Sequence, residues 1–77
     1  MNCTTDKVKT DSELLGERLR FLRTSKTNMS QSQIAKLLFL DRSTYTNYEL
    51  GKIQPTIKII KELAKIYEIS IDTLLDY

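Results

Sequence analysis

Ser30-Gln31-Ser32-Gln33-Ile34-Ala35-Lys36-Leu37-Leu38-Phe39-Leu40-Asp41-Arg42-Ser43-Thr44-Tyr45-Thr46-Asn47-Tyr48-Glu49-Leu50-Gly51 contains two helix starts and two helix stops. Ser30 followed by Gln33 makes a capping box, in which each side chain satisfies the other residue's backbone N–H. Ile34, Leu37 and Leu38 supply an inner face, and Ala35 is small enough to let another helix come close. This helix ends near Leu38. Only Phe39-Leu40-Asp41 separates it from the next start, where Asp41 is a suitable N-cap for a helix over 42–50. Gly51 closes that helix as its C-cap. Within it Tyr45, Tyr48 and Leu50 are suited to face inward, and the remaining residues are polar, weak helix formers.

Helical signals continue on both sides. Thr10-x-x-Glu13 is a second capping box, and Leu15, Leu19 and Leu22 follow at spacings of four and three. That helix is expected to fade across Ser25 to Asn28, where turn-favouring residues gather. After Gly51, Pro55 and Thr56 open a helix whose stripe is Ile57, Ile60, Leu63, Ala64 and Tyr67, widened by Ile59 and Ile66. Ser70 caps a short last segment, Ile71 to Leu75. Residues 1–11 are polar and aperiodic and read as a mobile arm that includes Cys3, leaving 12–77 as one all-α domain of five helices.

The composition narrows the function classes. The 77 residues are 40% hydrophobic and 29% charged, as in a globular chain, but few for a self-sufficient core. A single cysteine and no histidine exclude a disulfide framework and the usual zinc ligand sets. They also remove the commonest general base and every Ser-His or Cys-His pair, so an enzyme is not expected. No metal, cofactor or small-molecule ligand is implied. No apolar run reaches the length of a membrane span, and the first residues carry no apolar signal core, so a cytoplasmic module is expected, nucleoid-associated when bound to DNA. The net charge of +2 is too small to identify a polyanionic partner. Its excess lies in the first fifty residues, among them Arg18, Arg20, Arg23, Lys26, Lys36 and Arg42.

Two short helices joined by a three-residue turn, the second polar on its outer side, form the geometry of a helix-turn-helix. The first such helix holds the second at a fixed angle for entry into a DNA major groove. The run Leu15-Gly16-Glu17-Arg18-Leu19-Arg20, Leu22-Arg23, Ser30-Gln31, Ile34-Ala35, Arg42-Ser43-Thr44, Tyr48-Glu49-x-Gly51-Lys52, Pro55-Thr56, Leu63-Ala64 and Ser70-Ile71-Asp72-x-Leu74-Leu75 resembles the phage-repressor/Cro-like (XRE-type) helix-turn-helix family. The likeness spans roughly residues 13–76. It implies a compact, lambda-repressor-like five-helix domain, with the helix-turn-helix proper at about 30–50, that binds double-stranded DNA and regulates transcription, as a repressor.

By that resemblance Gln31 contacts a phosphate and supports the recognition helix; simple capping is the competing reading. Arg42, Ser43, Thr46 and Asn47 are the candidate base readers. Arg42 suits guanine O6/N7, Asn47 suits adenine N6/N7, and the Thr46 methyl suits thymine. Thr44, Lys36 and Lys52 are candidate phosphate contacts, with Lys26 and Asn47 less so; a solvated surface is the alternative for each. Tyr45 packs inward, and the Tyr48 hydroxyl lies near enough to the edge to reach a phosphate. The resemblance also implies an ion pair between Arg23 and Glu49, partly buried, whose disruption would cost about 3 kcal/mol. Three departures bear on turn geometry. Phe39 falls where the family usually has glycine, so it must accept positive φ or shift the turn; Glu68 falls near a position favouring glycine or asparagine; and the stretch 26–29 looks one residue longer than usual.

Ile71, Leu75 and Tyr77, near the end of the sequence, are the candidate homodimer interface, whereas Leu74 is assigned to the monomer core. Phe21 is apolar where a polar residue is expected. With no room for an effector domain, control is expected through concentration, self-association or another protein. The alternatives to a DNA-binding regulator are an antitoxin that binds a toxin and autoregulates its operon, and a protein-interaction module without DNA binding.

Overall fold

The computed structural model describes residues 9–76, and these form five helices with no strand among them. They are α1 (Asp11–Lys26), α2 (Gln31–Leu37), α3 (Arg42–Leu50), α4 (Ile57–Tyr67) and α5 (Ile71–Leu74). None of these helices is long and apolar enough to cross a membrane. Cys3, Tyr77 and most of the expected arm lie outside the described residues. Helix α1 begins at Asp11, inside the segment expected to be arm, because Thr10 is its N-cap.

Side-chain caps account for four of the five starts. Thr10 Oγ1 accepts from Glu13 N at 3.1 Å, while Thr10 N donates to Glu13 Oε1 at 2.9 Å. Ser30 and Gln33 repeat the arrangement at 3.2 and 2.8 Å. Thr56 and Ser70 cap α4 and α5 through Ile59 N and Thr73 N. Asp41 occupies the N-cap position of α3 but makes no side-chain capping bond, contrary to expectation.

The C-terminal ends of α2, α3 and α4 share one geometry. In α2 the N–H groups of Phe39 and Leu40 donate to the carbonyls of Lys36 and Ala35. Gly51 and Lys52 donate in the same way to Tyr48 and Asn47, and Glu68 and Ile69 to Lys65 and Ala64. This reciprocal cap places its middle residue in the left-handed region. Gly51 does so at φ 78°, Phe39 at 58° and Glu68 at 57°. The two departures noted in the sequence therefore keep the glycine geometry with a side chain in place.

Leu15, Leu19, Ile34, Tyr45, Leu63, Tyr67 and Leu74 are the most deeply buried side chains. Helix α1 runs through the centre and touches α3, α4 and α5, while α2 packs on α3. The guanidinium of Arg18 also reaches the Asp76 carbonyl, tying α1 to the end of the described chain. Three inward assignments are corrected. Leu37, Leu50 and Ile57 are largely exposed. Helix α2 buries Ile34 and Ala35, with Leu38 buried just past its end, a face turned away from Leu37. Helix α3 buries Tyr45, Tyr48 and Glu49, one step before Leu50. At the entry to α4 the buried residue is Pro55, and the stripe of the helix begins at Ile60.

Candidate nucleic-acid interface

The placement of α3 begins with a glycine. A Cβ on Gly16 would lie 2.4 Å from the Glu49 carbonyl oxygen and 2.5 Å from that of Tyr48. Real side chains essentially never come that close, so only glycine lets α1 pass directly over the last turn of α3. The αL turn at Gly51 sits against the other end of the same contact, where a Cβ would meet the Glu13 Cα at 2.6 Å. Gly16 has no role in the sequence motif by itself. An isolated glycine inside a periodic helix was the available signal.

Polar bonds complete the placement. Arg23 Nε donates to Glu49 Oε2 at 2.8 Å, and Nη2 to Oε1 at 3.3 Å. The third arm, Nη1, donates to the Met29 carbonyl at 3.2 Å, anchoring the stretch before α2. The same stretch is held by Thr27, whose hydroxyl donates to the Arg23 carbonyl and accepts from Met29 N. Gln31 Nε2 donates to Glu49 Oε1 at 2.9 Å, and Gln31 Oε1 accepts from Thr46 Oγ1 at 2.9 Å. A chain of bonds thus runs from α1 through Glu49 to the first residue of α2, then back to α3. Every buried side-chain polar atom among the described residues has a partner.

The electrostatics follow from burial against pairing. Burial alone would raise the Glu49 pKa, but the bonds from Arg23 and Gln31 and the arginine's charge outweigh it and hold the carboxylate below its ordinary value. The Arg23 pKa is raised, chiefly by its hydrogen bond to Glu49. On the inner side Tyr45 OH lies 2.8 Å from Tyr67 OH. Burial pushes the Tyr67 phenol up to about 12 and raises that of Tyr45 further, so both remain protonated in ordinary buffers. The Tyr48 ring is buried edge-on to Tyr45, with centroids 6.3 Å apart.

With 45, 48 and 49 turned inward, the other side of α3 carries Arg42 and Ser43, both exposed, and Thr44, Thr46 and Asn47, all partly exposed. Thr46 differs from the expected free reader, since its hydroxyl is donated to Gln31; its methyl is what remains for an outside contact. Gln31 is partly exposed at the start of α2, Lys36 is exposed in the last turn of α2, and Lys52 is exposed just past the end of α3. Lys26 is not part of this surface. Its ammonium donates to the Tyr67 carbonyl at 3.1 Å, at the end of α4. Ile71 and Leu75 are exposed on and just after α5, which makes no contact with α3.

No group of three or more potential metal-ligating side chains occurs among the described residues. Glu49, the buried carboxylate of the site, is already saturated by Arg23 and Gln31. The arrangement presents a rigid polar helix face flanked by cations, suited to recognition by contact.

The helix-turn-helix family model matches residues 19–74 of this chain. The chain is 42% identical over 62 residues to the SPbeta prophage-derived uncharacterized HTH-type transcriptional regulator YonR of Bacillus subtilis (strain 168). That alignment covers 80% of this chain and 56% of the relative. It is 37% identical over 59 residues to the HTH-type transcriptional activator BcrR of Enterococcus faecalis, covering 77% of this chain and 28% of the other. The chain therefore spans about half the length of the first relative and little more than a quarter of the second. Among solved structures, the restriction-modification controller protein C.AhdI from Aeromonas hydrophila superposes with a TM-score of 0.75 at 38% identity, covering 83% of this chain and 91% of that one.

Proposed function

This chain belongs to the helix-turn-helix family, and from that premise we propose that it is a sequence-specific, double-stranded DNA-binding regulator of transcription that reads the major groove with α3. The observation that carries this reading is the network joining Arg23, Glu49, Gln31 and Thr46. It holds α3 by its buried side and leaves Arg42, Ser43 and Asn47 on the other. Arg42, in the first turn, enters the groove first and donates bidentately to a guanine. Asn47, just over one turn later, pairs with an adenine. Ser43 and the Thr46 methyl fill the space between. Lys36, Lys52 and Thr44 contact phosphates and set the register. The second amide hydrogen on Gln31 Nε2 is available to a phosphate while the first supports Glu49.

A single α3 covers only a few base pairs, so two copies on half-sites about one helical turn apart supply the remaining specificity. We place that contact on α5, through Ile71 and Leu75. Tyr77, assigned to the same surface, lies outside the described residues. The fold of the chain serves repression and activation alike. We retain the repressor reading; which outcome follows depends on where the operator stands relative to the promoter. The antitoxin and interaction-module readings remain the alternatives.

Affinity for duplex DNA should fall steeply between about 50 and 200 mM salt, by roughly 10³-fold for a complex with several phosphate contacts. Arg42→Ala should relax selection at one base position and lose about 1–3 kcal/mol there, whereas Lys52→Ala weakens all sequences alike. Gel-shift titration and selection from a random duplex library read both effects. Salt-independent binding would overturn the DNA reading, and an Arg42→Ala variant with wild-type selectivity would overturn the assignment of α3.

A further inference from the structure

Helices α3 and α4 do not meet through their backbones: no Cα of one lies within 8 Å of a Cα of the other. Their side chains share one core, and within it a pair of fully buried tyrosines brings its hydroxyls to 2.8 Å. One partner, Tyr45, is on the inner side of the proposed recognition helix. The other, Tyr67, is the last residue of α4 and is held at its far end as well, where its carbonyl accepts the Lys26 ammonium. The next residue, Glu68, makes the left-handed turn that leads to Ser70, the N-cap of α5. Tyr67 therefore stands where α1, α3 and the start of α5 are tied together.

A hydroxyl pair is an unusual choice if only stability is required. Replacing both partners of a buried hydrogen bond with apolar groups of the same shape is close to neutral. Apolar contact has no preferred direction, so two phenylalanines would fill the space while letting α3 slide over α4. A 2.8 Å bond tolerates little displacement. The hydroxyls thus contribute register more than cohesion.

We propose that the Tyr45–Tyr67 hydroxyl pair holds the recognition helix in register with α5, so that Tyr67, remote from the DNA face, is a positioning residue that sets which half-site spacing the protein accepts. The proposal rests on the DNA-binding, dimeric reading above, and its test has one arm that needs DNA and one that does not. In the first, duplexes selected by the wild-type chain are re-spaced by one base pair in either direction. Tyr67→Phe should keep affinity for the selected spacing within about twofold, yet its preference over the re-spaced duplexes should shrink about fivefold. Ile60→Val, a core change with no hydroxyl, should lower the thermal midpoint and leave that preference intact. An unaltered preference in Tyr67→Phe, or an equal loss in Ile60→Val, would overturn the proposal.

In the second arm, amide exchange is followed in the free protein. Tyr67→Phe should accelerate α3 and α5 together by about fivefold relative to α2, whereas Ile60→Val should accelerate all three alike. If α3 amides do not move in Tyr67→Phe, the coupling is absent whatever the DNA results. If wild-type binding proves insensitive to salt, the functional reading falls and the exchange arm alone decides the coupling. Should the orphaned Tyr45 hydroxyl prevent Tyr67→Phe from folding, the Tyr45→Phe/Tyr67→Phe double variant removes both hydroxyls and is read by the same two measurements.

Discussion

Phe39 combines two unfavourable features at one residue. Its φ of 58° is in the left-handed region, and its side chain is 95% exposed, so no packing within the described chain offsets the strain. Phe39→Gly keeps the reciprocal cap and removes the Cβ. The relief exceeds the added chain entropy, for a net gain of about 1 kcal/mol. The thermal midpoint should rise about 4–8 °C; an unchanged or lower midpoint would show that the ring contributes something the backbone does not. Glu49 governs the acid response. A carboxylate whose folded pKa lies below its unfolded value adds stability above the unfolded value and loses it as pH falls through the folded one. The wild type should therefore weaken as pH drops below about 4.5, the ordinary value from which Glu49 is lowered. Glu49→Gln should lose about 3 kcal/mol at neutral pH, because Arg23 is left unpaired, and should show a shallower acid slope in urea denaturation followed across pH. An equally steep slope would place the acid sensitivity elsewhere. Both residues were legible in the sequence, Phe39 as a departure and Glu49 through the resemblance. That Thr46 gives its hydroxyl to Gln31 was not legible, since it depends on how α2 and α3 are rotated against each other.

At the scale of the helix, the crossing of α1 over α3 depends on Gly16. Gly16→Ala places a methyl 2.4 Å from a backbone carbonyl that cannot rotate away, so the helices must separate. Overpacking of this kind costs about 1–3 kcal/mol, and chemical denaturation should show it despite alanine's better helix propensity. A stabilised Gly16→Ala would mean that α1 and α3 are not in this contact. The capping boxes placed the starts of α1 and α2, and Gly51 the end of α3, within about two residues, because those signals are local. Which residues of α2 and α3 face inward was read less well. With only seven residues in α2, Leu37 and Leu38 are both plausible inner positions, and the neighbouring helices decide between them. Glu49 went inward and Leu50 outward because a bidentate arginine lies on that side.

For the whole molecule, the exposed apolar groups on α5 and the polar face of α3 lie on separate helices, one proposed for pairing and the other for reading DNA. Ile71→Glu puts a charge on a side chain already 37% exposed, so the monomer should fold as before. In sedimentation it should shift the mass from two chains to one, and affinity for DNA with two half-sites should fall by about 10²-fold as the second site ceases to be intramolecular. Single half-site binding should stay near wild type. A variant that still sediments as two chains would move the interface away from α5.

What the amino-acid sequence determined by itself was the set of helices and their approximate starts and stops. All of these follow from interactions within four or five residues along the chain. The tertiary structure alone decided which polar groups are engaged and which are left for a partner. Those outcomes follow from where α1 lets α3 rest, and so from one missing Cβ at Gly16 and one bond between hydroxyls far apart in sequence. Contacts of that kind depend on distances across the core, which no local pattern encodes.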